Sequence, residues 1–370
     1  MSMQKLRLAY LVTHPIPYQA PLLRMVAAQP DIDFHAFFGT DFTTRPFVAG
    51  EFKQLIEWDG LPPLVGEDDA LSALRAAHHA AAILSAKKRG IKVLLRDEAT
   101  PISAARSGAK RFAKRVFFET LKRGVDAYLA IGELNERYYV ENGVDPARVF
   151  SVPYAVDNDR FAAQAAEAAK SRAAFKRDLG IAEGRPIVLF VAKLIERKRP
   201  KLLLEAFAKV RANPALRDPV LAFAGDGPQR AELEALAAAL PPGAVKFLGF
   251  KRQNELPACY DLCDAFVLPS GQEAWGLVVN EVMCAGKAVI CSDMIGAAPD
   301  LCRPGENGAI FKTDDVDDLA RALTEVLGDA DRLAAYGTNS RAIVDRWSFR
   351  EDVAGLRAAL GALVPGRFAP

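Results

Sequence analysis

Residues 265–308 read AFVLPSGQEAWGLVVNEVMCAGKAVICSDMIGAAPDLCRPGENG, and this stretch decides the fold. The apolar run Ala265 to Leu268 reads as a buried strand, and Pro269, Ser270 and Gly271 break it into a loop. A helix pattern starts near Gly276 and runs to Cys284, and Ala288 to Cys291 reads as a second strand. Strand, loop, helix and strand in that order make one unit of an α/β sheet. Ligands of such sheets gather in the crevice beyond the carboxyl ends of the strands.

Two carboxylates fall in this unit, Glu273 on the loop and Glu281 in the helix, with seven residues between them. Gly276 lets backbone approach a ligand closely, and the free N–H groups of a helix start attract phosphate oxygens. A helix carboxylate can accept two hydrogen bonds from a vicinal diol such as a ribose. A loop carboxylate can do the same for a sugar ring. Sugar, diphosphate and ribose in that order describe a nucleotide sugar. Taken alone, the spacing also fits a Glu281 that is a solvated helix carboxylate.

The residues around this pair resemble glycosyltransferase family 4, retaining enzymes of GT-B fold. The likeness lies in Glu273 and Glu281 at Glu-x7-Glu spacing, in Pro269-Ser270, Trp275-Gly276-Leu277, Asn280-Glu281 and Gly286, and in the run Gly296-Ala297-Ala298-Pro299-Asp300-Leu301. It spans nearly the whole chain and is strongest after residue 187. It implies an α/β, GT-B architecture: two Rossmann-like, doubly wound parallel-sheet domains facing across a cleft, with a C-terminal helix crossing back.

Composition agrees with a two-domain globular chain. There are 370 residues, 51% hydrophobic and 25% charged, with a net charge of +2. That small charge argues against wholesale nucleic-acid binding. No apolar run approaches the ~20 residues of a membrane-spanning helix. The N-terminus, MSMQKLRLAYLV, enters a strand directly and has no signal-peptide cleavage pattern, so a cytoplasmic protein is expected. The five cysteines lie in the second half without a CxxC pair or a nearby histidine, and read as small buried residues.

Along the first half, strands are expected at Leu6–Val12, Asp33–Phe38, Ile91–Leu95, Ala127–Ile131 and Arg148–Val152. Helices are expected at Ala20–Ala28, Leu71–Arg89, Arg106–Arg123 and Glu133–Asn142. Such alternation predicts a parallel sheet covered on both faces. After an Ala-rich helical connector at 155–185, strands recur at 187–191, 220–224, 245–248, 265–268 and 288–291. Ser348 to Leu363 carries Val353, Leu356, Leu360 and Leu363 on one side of a helix placed to cross back. The expected division is an acceptor-side domain at 1–155, joined by the helix in 348–370, and a nucleotide-sugar-binding domain at 156–347.

On the donor side, Lys193 and Lys198 flank the turn KLIERKR at 193–199. The resemblance implies that both bind the donor diphosphate, that Glu273 holds the donor sugar, and that Glu281 holds the ribose. It implies that Gly276 and Leu277 offer backbone N–H groups. Fixed cations stabilise the negative charge that builds on a leaving diphosphate and can replace a divalent metal. No DxD-type site stands out, so metal-independent transfer without a cofactor is expected. The competing reading is a solvated basic helix start, which the helix dipole mildly disfavours. Gly225-Asp226-Gly227-Pro228 matches the family loop beside the nucleotide, and equally fits a turn that needs glycine for backbone reasons. Phe250 follows the next strand and is expected beside the base.

On the acceptor side, the loop Thr13-His14-Pro15-Ile16 should face the cleft, with His14 as a hydrogen-bond or phosphate contact. Arg96-Asp97-Glu98 resembles an Arg-Gly-Glu-Ser run of the bacterial polysaccharide-type subgroup of that family, with Asp97 in place of glycine. Relatives usually carry a further strand between those near Phe38 and Ile91, but Glu57 to Asp69 reads EWDGLPPLVGEDD, too short and broken for it. Residues 106–123 carry seven basic residues and one acid interleaved with apolar ones. That pattern suits an anionic membrane surface, at the inner face of the cell membrane, and equally an ordinary helix over the sheet.

The expected function is transfer of a sugar from a nucleoside-diphosphate-sugar to an acceptor hydroxyl of a glycan or lipid-linked glycan, with retention. Two rivals remain. One is a weak or inactive nucleotide-sugar-binding relative that acts as a partner in polysaccharide assembly, and the other is a nucleotide-sugar epimerase.

Overall fold

A computed structural model of the chain describes residues 5–12, 19–38, 47–49, 54–56, 75–102, 118–119 and 121–366. His14, the Glu57–Asp69 segment and residues 106–117 therefore lie outside the described residues.

The second half is built on one parallel sheet. Its strands are β8 (Ile187–Val191), β9 (Val220–Ala224), β10 (Val245–Gly249), β11 (Ala265–Leu268), β12 (Ala288–Ser292) and β13 (Gly308–Phe311), in spatial order β10-β9-β8-β11-β12-β13. The strands are near-continuous apolar runs because both faces are covered. Successive side chains alternate between faces: Leu189, Ala222, Phe266 and Val289 enter one core, and Val188, Phe190, Leu221, Val267 and Ile290 the other. The bounds expected for β8, β9 and β11 coincide with the observed ones. Glu306-Asn307-Gly308 read as a turn, and β13, which begins there, was not among the expected strands. Gly308 opens it because a Cβ there would lie 1.7 Å from the Val289 carbonyl oxygen, so the glycine that looked like punctuation serves close strand pairing.

The first half is less regular than its alternation predicts. β1 (Leu6–Val12) and β2 (Ile32–Phe38) pair in parallel, β3 (Phe47–Ala49) and β4 (Gln54–Ile56) form an antiparallel pair, and β5 (Leu94–Leu95), β6 (Ala127–Ala130) and β7 (Val149–Ser151) form a third sheet. The strand expected at 91–95 shortens to two residues. The Val93 N–H bonds the Asp126 carboxylate at 2.9 Å, and its carbonyl accepts from the Asp126 N–H at 2.8 Å. The Asp126 carboxylate takes the Val93 N–H, so the regular pairing of β5 with β6 begins only at Leu94. In the described end of the basic stretch, residues 118–119 and 121–123, Phe118 is buried and packs edge-on against Tyr138, with ring centroids 5.6 Å apart. No helix among the described residues is long and apolar enough to cross a membrane.

The connector holds two helices, Asn158–Ala169, capped by Asp157, and Arg172–Asp178. All five cysteines are buried and free, and burial pushes the Cys263 thiol up to about 12. The last helix, Phe349–Leu363, starts on a Ser348/Glu351 capping box and packs back on the first half. Its Phe349 and Val353 join Leu22 and Val26, and its Ala359 joins Ala127 and Val152. Asp352 pairs with Arg96 at 2.7 Å, and Arg357 forks onto Asp31 at 2.8 and 2.9 Å.

Gly355 sets how closely this helix approaches, because a Cβ there would lie 1.8 Å from the Ser151 carbonyl oxygen. Gly355→Ala should therefore push the helix off β7. The gain in helix propensity, about 1 kcal/mol, is outweighed by overpacking against fixed backbone. Urea unfolding should show a net loss of roughly 1–2 kcal/mol, and an unchanged or raised midpoint would refute the tight packing.

Candidate functional site

The order β10-β9-β8-β11-β12-β13 reverses direction between β8 and β11. The chain leaves β8 toward one side and β11 toward the other, so a crevice opens between their carboxyl ends. The loop after β8 carries Lys193 and Lys198, and the loop after β11 carries Glu273.

Main-chain hydrogen bonds stitch this rim together. The Leu194 N–H bonds the Asp226 carbonyl at 2.9 Å, and the Gly225 N–H bonds the Gly249 carbonyl at 2.9 Å. The Gly271 N–H bonds the Arg197 carbonyl at 2.9 Å, the Glu273 N–H bonds the Met294 carbonyl at 3.0 Å, and the Gly296 N–H bonds the Glu273 carbonyl at 3.0 Å. Such contact leaves no room for side chains. A Cβ at Gly225 would lie 1.9 Å from the Ala192 carbonyl oxygen, and one at Gly227 would lie 2.6 Å from that of Leu194. Both glycines thus have a backbone reason of their own. Phe250 is half-buried on the same rim, directly after β10.

Two of the expected residues meet in this crevice. The Lys198 ammonium donates to Glu273 Oε1, and Arg197 lies 3.3 Å from Glu273 Oε2. Arg197 also donates to the Gln272 carbonyl at 2.9 Å, which holds the loop against the turn. Lys193 is exposed on the same turn. Gly276 sits at φ +103, where glycine is favoured, and starts the turn into the helix Val278–Cys284. The N–H groups of Gly276 and Leu277 make no hydrogen bond among the described residues. Glu281 is no solvated helix carboxylate. It is 3% exposed and accepts a hydrogen bond from the Tyr260 hydroxyl, itself buried.

Sequence reading missed three features. Tyr260 is one. The second is a pair of bonds that tie the site to the connector: Trp275 Nε1 donates to Asn280 at 2.9 Å, and Asn280 donates to the Tyr154 carbonyl at 3.2 Å. The third is Asp300, which accepts the Glu133 N–H at 3.1 and 3.2 Å and so caps the helix Glu133–Glu141 from the other half of the chain. Gly132 makes room, since a Cβ there would lie 2.3 Å from the Trp275 ring and 2.6 Å from the Asp300 carboxylate. Burial, reinforced by Glu133 and Glu136, raises the Asp300 carboxyl to about 7. Asp97 is structural: it accepts from Tyr139 at 2.9 Å, Ala99 at 3.0 Å and Asn135 at 3.1 Å.

Comparison with known proteins places this geometry. Residues 171–343 match the family described as glycosyl transferases group 1. A D-inositol 3-phosphate glycosyltransferase of Geodermatophilus obscurus is 34% identical over 228 residues, 60% of this chain and 48% of that protein. A GDP-mannose-dependent alpha-(1-6)-phosphatidylinositol monomannoside mannosyltransferase of Mycolicibacterium smegmatis is 30% identical over 227 residues, 58% of this chain and 56% of that one. The chain spans about half the length of the relatives it matches. Among solved structures, Anabaena HepE in complex with UDP superposes with a TM-score of 0.69 at 16% identity, covering 96% of this chain and all (100%) of that one. The sucrose-phosphate synthase of Thermosynechococcus elongatus gives 0.65 at 20% identity, covering 98% and 100%. The fold is the GT-B fold.

Asp300 makes a pH prediction. Its folded pKa, about 7, lies above the ordinary carboxyl value of 3.8, so the folded state holds the proton more tightly. Its contribution is full below about pH 4 and is lost as pH rises to about 7. Asp300→Asn keeps an acceptor for the Glu133 N–H and cannot ionise. The melting temperature of the variant relative to wild type should climb between about pH 4 and about pH 7 and then level off. A flat difference would refute the raised carboxyl.

Proposed function

We propose that this chain, whose residues 171–343 form a domain of the group 1 glycosyl transferases, moves a sugar from a nucleoside-diphosphate donor to an acceptor hydroxyl with retention. The observation that carries the reading is the Lys198–Glu273 pair at the reversal of the sheet, beside the unbonded N–H groups of Gly276 and Leu277. A cation, two N–H groups and a carboxylate in one crevice suit a diphosphate joined to a sugar.

In this reading the donor takes both members of the pair. Its diphosphate draws Lys198, and Lys193 beside it, while its sugar hydroxyls donate to Glu273. The two lysines and the Gly276 and Leu277 N–H groups then meet the charge that builds on the leaving diphosphate, so no divalent metal is called for. The acceptor proton passes to the departing phosphate on the same face, which retains configuration without a protein base. Glu281, held by Tyr260, is the ribose acceptor once the base settles near Phe250 and the Gly225–Gly227 turn. Closure of the halves, divided at residue 155 and rejoined by the last helix, excludes water. His14 is the acceptor-side contact. The acceptor is a glycan or lipid-linked glycan, met by a cytoplasmic protein that docks on the inner membrane face through residues 106–123.

One relative's name prints GDP-mannose, and a solved neighbour holds UDP, so both nucleotides belong in the test. Calorimetry should show saturable binding of UDP or GDP, weakened about tenfold or more by Lys198→Ala. With the sugar donor, Glu273→Gln should bind the nucleotide but release sugar on the order of 100-fold more slowly, followed by NMR of the anomeric proton. Binding without turnover would favour the inactive relative. An isomerised donor without acceptor would favour the epimerase, and no nucleotide binding at all would sink the donor site.

A further inference from the structure

The opposite edge of the six-stranded sheet holds a cavity of about 350 Å³. Asp264 and Lys287, which directly precede β11 and β12, line it with Arg172, Lys176, Arg185 and Arg217. Five cations thus face one carboxylate. The strands run about 16 Å from this edge to the rim with Lys198 and Glu273, at ~3.3 Å per residue.

Most of these cations already have a task. Arg172 pairs with Asp264 at 3.2 Å and reaches the Leu262 carbonyl at 3.3 Å. Arg185 pairs with Asp218 at 3.0 Å. Lys287 donates to the Asp261 carbonyl at 2.6 Å, with the Asp261 carboxylate 3.9 Å away. Burial, with the charge of Arg172 adding to it, holds the Lys287 ammonium below the usual lysine range. Arg217 has one long bond, to the Leu327 carbonyl at 3.5 Å. Arg172, Lys287 and Arg217 thus satisfy carbonyls near the ends of the helices Leu256–Leu262 and Val316–Leu327.

Lys176 has no such task. It is 8% exposed, lines the cavity, and its ammonium makes no hydrogen bond or ion pair among the described residues. Its stem is buried while its ammonium reaches solvent at the cavity, so a bound anion would meet a cation that no protein group among the described residues already holds.

We propose that this cavity binds a small phosphorylated metabolite, its phosphate met by Lys176, Arg217 and Lys287. Phosphate suits the site better than a carboxylate because a monoester carries about −1.5 to −2 charges and three acceptor oxygens at neutral pH. The volume lies at the small end of ligand pockets, ~300–1,000 Å³, on the scale of a sugar monophosphate and too small for a whole nucleotide sugar. The site is separate from the donor crevice and needs neither Lys198 nor Glu273.

Calorimetry on the whole chain tests this, with inorganic phosphate and glucose 6-phosphate as probes and UDP as the donor-site control. Wild type should bind at least one phosphate probe saturably. Lys176→Met and Arg217→Gln should each weaken that binding about tenfold or more, and Lys198→Ala should leave it unchanged. UDP should respond the opposite way if the donor reading holds. Lys176→Met keeps the buried apolar stem and removes a charge with no hydrogen bond or ion pair among the described residues, so its melting temperature should not fall, and lost binding would not mean lost fold. Binding of neither probe, or binding that Lys198→Ala abolishes while Lys176→Met and Arg217→Gln leave it intact, overturns the proposal.

Discussion

The ion pair between Lys198 and Glu273 is the contact on which the site depends, because it spans the place where the sheet reverses. The loops after β8 and β11 diverge there, beyond the sheet's own strand pairing, and this pair joins them beside the bond from the Gly271 N–H to the Arg197 carbonyl. The paired side chains are 18% and 13% exposed, so the pair works in a lower dielectric than a surface bridge and is screened less. A partner lost from such a pair leaves a poorly solvated charge behind. The crevice is thus held by charges that an anion and a polyol can satisfy in turn, whereas the main-chain bonds from Leu194 to Asp226 and from Glu273 to Met294 keep the rim in place.

A second constraint joins the two halves. Trp275 and Asn280 connect the rim to the Tyr154 carbonyl, and Asn158 donates to the Val344 carbonyl at 2.8 Å, so the connector is anchored on both sides. Asp300 reaches across to the helix at Glu133, and Arg96 reaches Asp352 on the returning helix. The run Gly296–Leu301 has a physical use in these terms. Gly296 allows the Ala274 carbonyl within 1.9 Å of where a Cβ would stand, and the helix Ala298–Leu301 then presents Asp300 to the other half. A protonatable carboxylate at that contact makes the approach of the halves respond to charge.

Much of this was legible in the sequence where local pattern decides structure. Apolar runs bounded by proline and glycine located β8, β9 and β11, and the apolar stripe Val353, Leu356, Leu360 and Leu363 located the last helix. Glu273 and Lys198 were each singled out by the family resemblance, but their contact joins residues 75 apart in the chain and no local pattern shows it. Gly308 misled because one residue type serves both turns and tight strand pairing. The roles of Tyr260 and Asp300 were unreadable for the opposite reason: Asp300 lies in a run that the resemblance picks out, but both roles come from Glu281 and Glu133, which only the fold brings near. In the first half the signal was weaker, because the Asp126 carboxylate takes the Val93 N–H and regular pairing of β5 begins only at Leu94.

The six-stranded sheet itself explains why charge collects at both of its edges. Each helix that follows a strand points its N-terminus toward the carboxyl edge and its C-terminus toward the other. The carboxyl edge is therefore electropositive before any side chain is counted, and Glu273 answers it. The amino edge is electronegative, and Lys287 and Arg172 answer it by donating to the carbonyls of Asp261 and Leu262. On that account alone the basic residues of the amino edge would be matched one by one to carbonyls and carboxylates. Lys176 breaks the match, since it is as buried as Lys287 yet donates to nothing among the described residues. Helix-end electrostatics accounts for its neighbours and leaves one positive charge over, which is the charge a bound anion would balance.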